Sequence, residues 1–123
     1  MPVGPLICVI DDDLSVRKAL VGLIVSMGYR CSGYESAEAV LASEDARSAA
    51  CYLTDIHMAG LDGFGLKRRL DAQGCSAGFI MMTARAEGHL EQRALEVGAI
   101  WFLRKPLRAD ALKNCLALAL KTP

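Results

Sequence analysis

Residues 6–13 read LICVIDDD, and this short stretch decides the fold. Five apolar residues, several of them β-branched, stop abruptly at three aspartates. An apolar run without alternation is typical of a strand that is buried on both faces. Because such strands lie centrally in parallel sheets, the stretch predicts an inner strand with a cluster of carboxylates at its carboxyl end.

The next residues predict an amphipathic helix, with apolar side chains at i, i+4, i+7, i+8 and i+11, namely Val16, Leu20, Leu23, Ile24 and Met27. Asp13 is placed to cap the start of this helix, and Gly28 is placed to end it. The alternation then recurs four times. Further strands are predicted over residues 30–34, 51–54, 78–82 and 100–103.

Further helices are predicted behind Ser36, over residues 64–70, around Leu90 and Ala94, and at the end of the chain. Five strands alternating with five helices predict an α/β fold, in which a doubly wound parallel sheet lies between two helical layers. In such sheets the working site lies outside the carboxyl ends of the strands. The residues that follow each strand are therefore the candidates for function.

Composition limits the classes of function. The 123 residues predict one domain, with a core over about residues 6–120 and no output domain. Lys and Arg balance Asp and Glu at 14 each, so we expect no direct nucleic-acid binding. The five scattered cysteines form no metal or disulfide pattern and predict small buried side chains in a reducing compartment. With neither a membrane span nor a signal peptide in the sequence, we expect a cytoplasmic protein that does not engage membranes.

Chemically distinctive residues follow four of the predicted strands: Asp11 to Asp13, Asp55, Thr83, and Lys105 with Pro106. Carboxylates brought together repel one another unless a cation holds them, and such oxygens suit Mg²⁺. A lysine and a hydroxyl beside them are donors for a phosphoryl group. Each residue alone has an ordinary explanation as a helix cap, a loop residue or a solvated lysine. Their coincidence at four strand ends is what indicates a site.

Four motifs, IDDD at 10–13, YLTDIHM at 52–58, MMTA at 81–84 and FLRKP at 102–106, together resemble the receiver domain of bacterial two-component response regulators. The resemblance covers residues 6 to about 120 and is greatest to receivers of the NarL/FixJ type. It implies a flavodoxin-like (βα)5 fold with strand order 2-1-3-4-5.

The resemblance also implies a role for each residue at the strand ends. Asp55 would be the phosphoacceptor, taking a phosphoryl group from a phosphohistidine. Asp11, Asp12, Asp55 and the backbone carbonyl of His57 would bind Mg²⁺, with Mn²⁺ or Ca²⁺ able to substitute. Lys105 would contact a phosphoryl oxygen.

The implied signalling step uses Thr83 and Phe102. Thr83 would turn to bond the phosphoryl group, and Phe102 would turn inward into the vacated space. Side chains at His57 and Arg85 would tune the rate of hydrolysis, and Pro106 would follow a cis peptide bond. The altered surface would be the face formed by the fourth predicted helix, the fifth strand and the fifth predicted helix.

The implied partners are a sensor histidine kinase or a phosphotransfer protein, and a second copy of the chain bound through the same face. The domain would catalyse its own phosphorylation and its own slow dephosphorylation. It would not act as an enzyme on any other substrate. One residue departs from the family pattern: Ala59 follows Met58 where receivers usually have proline, which predicts a less rigid loop and slightly lower Mg²⁺ affinity.

Two other functions compete with this interpretation. Asp11-x-Asp13-x-Ser15, with Thr83 and Lys105, also fits a haloacid-dehalogenase-like phosphohydrolase whose nucleophile is Asp11. That family needs a further acidic pair after the lysine, and Asp110 stands alone there. The second alternative is a phosphorylation-independent receiver that acts as a binding module.

Overall fold

A sheet of five parallel strands forms the centre of the computed structural model, which describes residues 4–85 and 88–120. The strands are β1 (Leu6–Ile10), β2 (Arg30–Tyr34), β3 (Cys51–Asp55), β4 (Gly78–Thr83) and β5 (Trp101–Arg104). Their spatial order is β2-β1-β3-β4-β5, and every neighbouring pair runs parallel. The predicted order of 2-1-3-4-5 is therefore confirmed.

The register brings the ends of the strands to one edge of the sheet. Ile10 of β1 pairs with Thr54 of β3. The residues that follow them, Asp11 and Asp55, therefore lie at the same level of two adjacent strands. Asp55 pairs with Met82, and Thr83 pairs with Arg104. Since all five strands point the same way, the residues after β1, β3, β4 and β5 meet at this edge.

In the described part of the chain, six helices cover the sheet: α1 (Leu14–Ser26), α2 (Ala37–Leu41), α3 (Glu44–Arg47), α4 (Gly63–Ala72), α5 (His89–Glu96) and α6 (Ala109–Leu120). The side chain of Asp13 caps α1, accepting from the N–H groups of Ser15 and Val16. Gly28 lies just past the end of that helix with φ of +97°. Both predictions for α1 are confirmed. No helix within the described residues is long and apolar enough to cross a membrane.

The second helical segment differs from the single helix that the sequence predicts. Ser36 caps α2 as expected, accepting from the N–H of Ala39 at 3.0 Å. Ser43 then accepts from the N–H of Ala46 at 3.2 Å and begins a separate turn, α3. A serine hydroxyl that bonds a backbone amide satisfies a new helix start, so it competes with continuation of the previous helix. The prediction of five helices was wrong at this point.

The core has two parts, one on each face of the sheet. Tyr52, Phe64 and Phe79 belong to the part beneath α2 to α5. Ile7, Leu53 and other alternate strand residues belong to the part beneath α1 and α6. Successive strand residues point to opposite faces, so a strand that is apolar throughout fills both parts. The three-layer arrangement predicted from the alternation of strands and helices is confirmed.

The cysteines serve mainly as packing residues. Cys8, Cys51 and Cys115 are buried, while Cys31 and Cys75 are only partly buried. The prediction of buried thiols is therefore confirmed for three of the five cysteines. Burial raises the pKa of Cys8, Cys31 and Cys51 to about 12 in each case. These three thiols are therefore protonated at neutral pH and behave as small apolar groups.

Replacement of Gly63 by alanine is expected to destabilise the fold. A Cβ at Gly63 would lie 2.9 Å from the carbonyl oxygen of Asp55 and 3.1 Å from the Cα of Ile56, so the end of β3 would have to shift. We expect Gly63→Ala to lower the free energy of unfolding by about 1–3 kcal/mol in urea titrations. Gly22→Ala is the matched control, since a Cβ there meets nothing within 4 Å and alanine favours the helix by up to about 1 kcal/mol. Equal stability of the two variants would contradict the packing of α4 against β3.

Candidate functional site

The ammonium group of Lys105 joins two of the predicted site carboxylates. Its Nζ lies 2.6 Å from Oδ2 of Asp11 and 2.9 Å from Oδ2 of Asp55. Asp11 is fully buried and Asp55 is 7% exposed. The peptide bond between Lys105 and Pro106 is cis, as predicted. Residues that leave β1, β3 and β5 are thus brought into direct contact.

Backbone amides hold the second oxygen of each carboxylate. Oδ1 of Asp11 accepts from the N–H of Asp13 at 2.9 Å, and Oδ1 of Asp55 accepts from the N–H of His57 at 3.1 Å. Arg17, in α1, donates through Nη1 to the backbone carbonyl of Asp11 at 2.7 Å. Both aspartates are therefore oriented by one backbone amide and one ammonium. The role predicted for the carbonyl of His57 stays a prediction.

The charge on Lys105 is stabilised by the two carboxylates that it contacts. Burial lowers the pKa of Lys105, but its hydrogen bonds and its attraction to Asp11 and Asp55 outweigh burial, so the pKa of Lys105 is raised overall. One ammonium faces three carboxylates, because Asp12 lies beside the other two. Asp12 thus adds a third carboxylate beside the two that Lys105 contacts.

Asp11, Asp12 and Asp55 could hold a metal ion. One carboxylate oxygen from each lies within 4.8 Å of the others. Asp12 is exposed, so an ion would enter from its side. These are hard oxygen ligands on a solvent-facing rim, the chemistry that suits Mg²⁺ with several of its waters retained. The donor set fits the predicted cofactor.

Thr83 and Phe102 are linked to one another by two intervening residues. The hydroxyl of Thr83, which is fully buried, accepts from the backbone N–H of Arg85 at 3.0 Å. The carbonyl of Arg85 accepts from Nη1 of Arg104 at 3.3 Å. The Arg104 guanidinium carbon lies 5.9 Å from the centre of the Phe102 ring. Phe102 is 9% exposed and packs in the core, and its movement as part of a switch stays a prediction.

A polar cavity of about 430 Å³ opens beside the acidic cluster, lined by Asp12, His57, Met58, Ala59, Gly60, Asp62 and Arg85. His57 and Arg85, predicted to tune hydrolysis, thus border the same space as Asp12. A separate apolar groove of about 430 Å³ is lined by Val16, Ala19, Leu20, Leu23, Ala84, Lys105, Pro106 and Leu107. Lys105, which contacts Asp11 and Asp55, thus also borders an apolar groove.

Sequence reasoning did not identify Arg17 as a site residue, and it placed Arg104 only among the mixed charges of the face formed by the fourth predicted helix, the fifth strand and the fifth predicted helix. Arg17 lies among the polar residues of an amphipathic helix, and Arg104 is an exposed charge at the end of an edge strand. Neither position carries a pattern that distinguishes it from ordinary surface charge. Their contacts depend on how α1 and the loop after β4 approach the strand ends, so no signal within their own segments could have identified them.

The geometry argues against the phosphohydrolase alternative. Its second motif residue, Asp13, uses Oδ1 to cap α1, at 2.9 Å from the N–H of Ser15 and 3.2 Å from that of Val16. Asp110, the acidic residue beyond the lysine, forms an exposed ion pair with Arg108. Neither carboxylate belongs to the cluster of Asp11, Asp12 and Asp55.

Comparison with known proteins agrees with this arrangement. Residues 7–117 match the family model of the response regulator receiver domain. The transcriptional regulatory protein FixJ of Bradyrhizobium diazoefficiens is 34% identical over 115 residues, which are 94% of this chain and 56% of FixJ. The C4-dicarboxylate transport regulator DctD of Rhizobium meliloti is 33% identical over 112 residues, 91% of this chain and 24% of DctD. The chain spans about half the length, or less, of these curated relatives.

Solved structures show the same fold. The full-length FixJ structure from B. japonicum superposes with a TM-score of 0.87 at 32% identity, over 98% of this chain and 59% of that one. The FixJ-N crystal structure has a TM-score of 0.89 at 24% identity, over 99% and 98% of the two chains. Nothing in these matches supports the phosphohydrolase. The chain belongs to the response regulator receiver domain family.

Proposed function

We propose that Asp55 accepts a phosphoryl group from a phosphohistidine, on a sensor histidine kinase or a phosphotransfer protein. Receiver domains are signalling domains that partner with histidine kinases and generally use Mg²⁺. The observation that carries the proposal is the Asp55 carboxylate itself, which is 7% exposed, bonded to Lys105 and adjacent to Asp11 and Asp12. The exposed part of this carboxylate is accessible to a phosphoryl donor, and its contact with Lys105 orients it.

In the proposed transfer, a carboxylate oxygen of Asp55 attacks phosphorus, the bond between nitrogen and phosphorus breaks, and the imidazole leaves with the electron pair. The product is an acyl phosphate. Phosphoryl transfer needs positioning and charge stabilisation more than covalent help from the protein. The N–H of His57 and the ammonium of Lys105 orient the nucleophile, and the same ammonium is close enough to contact the arriving oxygens.

Asp11, Asp12 and Asp55, with the carbonyl of His57, are the proposed ligands of Mg²⁺. When bound, the ion neutralises the carboxylates and stabilises charge on the transferred group. The N–H of Asp13 and the ammonium of Lys105 hold Asp11, so this ligand is oriented before any ion arrives. Asp12, at the exposed side, completes the acidic edge.

The proposed switch begins at Thr83. In this switch, Thr83 turns its hydroxyl toward a phosphoryl oxygen and gives up the hydrogen bond from the N–H of Arg85, and the resulting shift of Arg85 weakens the hydrogen bond that Arg104 donates to it. Arg104 lies against the ring of Phe102 and is exposed on β5. A change at Asp55 would thus reach the surface formed by α5, β5 and α6, the face predicted from sequence. That face, with mixed exposed charges, is the proposed surface for a second copy of the chain.

Acetyl phosphate with Mg²⁺ is expected to add one phosphoryl group to the wild-type protein, because the acceptor and its charge partners are preassembled. Asp55→Asn is expected to abolish the addition, since an amide oxygen is a poor nucleophile. Intact-mass spectrometry measures the result. Asp45→Asn, an exposed carboxylate on α3, is the matched control and is expected to label like the wild type.

The rival phosphohydrolase makes the opposite prediction. If Asp11→Asn blocked labelling while Asp55→Asn released phosphate with turnover, Asp11 would be the nucleophile and the proposed function would be wrong. Labelling of Asp55→Asn at the wild-type level would contradict it as well.

Removal of the Lys105 ammonium is expected to destabilise the protein. Lys105→Ala leaves Asp11 and Asp55 facing each other without compensation, and we expect a loss of about 2 kcal/mol in the free energy of unfolding in EDTA. The pKa of Lys105 is raised, so its contribution is present throughout neutral pH and is lost only as pH rises through that pKa. Urea titration at pH 7 measures the effect, with the exposed Lys113→Ala as control.

Mg²⁺ is expected to restore part of the lost stability, because it supplies positive charge to the same carboxylates. Lys105→Ala should still accept some phosphoryl group on Asp55, while its conformational response weakens. Unchanged stability of Lys105→Ala in EDTA would show that the two ion pairs contribute nothing.

A further inference from the structure

Glu38 makes a contact that its position in α2 does not suggest. Its Oε2 accepts a hydrogen bond at 2.9 Å from the backbone N–H of Leu61, which lies 23 residues away in the loop between β3 and α4. The preceding residue, Gly60, has φ of +79°. A Cβ added to Gly60 would lie 2.7 Å from the same carboxylate oxygen. The carboxylate of Glu38 is therefore packed against the backbone of residues 60 and 61.

The loop that Glu38 contacts forms one wall of the candidate site. It starts directly after Asp55, and its second residue, His57, donates through its backbone N–H to Oδ1 of Asp55. It ends where Asp62 caps α4, accepting from the N–H of Gly65 at 2.8 Å. Between these two anchored ends lie Met58 to Leu61, and residues 58–60 line the polar cavity. The hydrogen bond that Leu61 donates to Glu38 holds this middle part.

The middle of the loop needs such an anchor because its residues place few restrictions on their own backbone conformation. Ala59 and Gly60 are exposed, and neither has a ring that fixes φ. A loop residue without a fixed partner samples several backbone conformations. Without the contact to Glu38, the position of the His57 peptide would vary, even though its N–H donates a hydrogen bond to the carboxylate of Asp55.

We infer that Glu38 is a positioning residue for the metal and acceptor site, holding the loop between β3 and α4 so that the peptide of His57 stays beside Asp55. The inference rests on the proposed function. Glu38 touches neither the acidic cluster nor the polar cavity, so it acts only through the loop.

The charge state of Glu38 agrees with this role. The hydrogen bond from Leu61 is the main cause that lowers the pKa of Glu38, and the charge of Arg69, on α4, lowers it further. Glu38 is therefore ionised at neutral pH, and a hydrogen bond to an ionised acceptor is stronger than one between neutral groups.

Three variants test the inference. Glu38→Ala removes the acceptor, Glu38→Gln keeps an acceptor oxygen without the charge, and Glu44→Ala removes an exposed carboxylate from the neighbouring helix α3 as the matched control. The first measurement is hydrogen exchange of the Leu61 amide by NMR, without metal or phosphate donor. We expect exchange to become roughly tenfold faster in Glu38→Ala, with partial protection in Glu38→Gln and wild-type protection in Glu44→Ala.

The second measurement is the dissociation constant of Mg²⁺ by titration calorimetry. We expect it to rise several-fold in Glu38→Ala, to recover partly in Glu38→Gln and to stay unchanged in Glu44→Ala, while urea unfolding shows all variants folded. A merely structural role for Glu38 would change the unfolding midpoint and leave Mg²⁺ binding alone.

Two results would overturn the inference. If Glu38→Ala left Leu61 protected, or exposed it without weakening Mg²⁺ binding, Glu38 would not position the site, whereas the proposed function would stand. If the wild type itself bound no Mg²⁺, both the inference and the proposed metal site would be wrong. The wild-type titration thus distinguishes the two failures.

Discussion

The sharing of one ammonium between two carboxylates is the interaction on which the site depends. Lys105 leaves β5, Asp55 ends β3 and Asp11 follows β1, so Nζ spans three strand ends across the intervening β4. Two buried carboxylates that lie close together repel each other unless a cation lies between them. The lysine keeps the two carboxylates together. The proposed Mg²⁺ and phosphoryl group would therefore meet carboxylates that are already held in place.

The parallel order of the sheet is what makes this sharing possible. Each strand must deliver its last residue to the same edge, which requires every crossover to return the chain to the opposite edge. The helices therefore do more than cover the sheet. Asp13, as the cap of α1, turns the chain directly after Asp11 and places its own N–H on that carboxylate. The same capping role removes Asp13 from the chemistry that a phosphohydrolase would demand of it.

The strands and the residues at their ends were predictable because each is recognised from a short, continuous stretch of sequence. Apolar runs mark buried strands, and the polar residues directly after them share an edge once the sheet is parallel. The roles of Asp55 and Lys105 needed the resemblance as well, since spacing alone also allowed Asp11 as nucleophile. The turn α3 was missed because a serine cap competes with helix continuation by a small energy. The contacts of Glu38 and Arg104 join segments that are far apart in the sequence. Periodicity and motif spacing therefore could not predict them.

Chemical trapping of the modified residue tests the central claim most directly. Borohydride delivers hydride to the acyl carbon of an aspartyl phosphate, and phosphate leaves as the carboxyl group is reduced to the alcohol of homoserine. The wild-type protein, treated with acetyl phosphate and Mg²⁺ and then reduced, can be digested and sequenced by tandem mass spectrometry. Homoserine at position 55 is the expected result. Homoserine at position 11, or at neither position, would contradict the assignment of Asp55 as the acceptor.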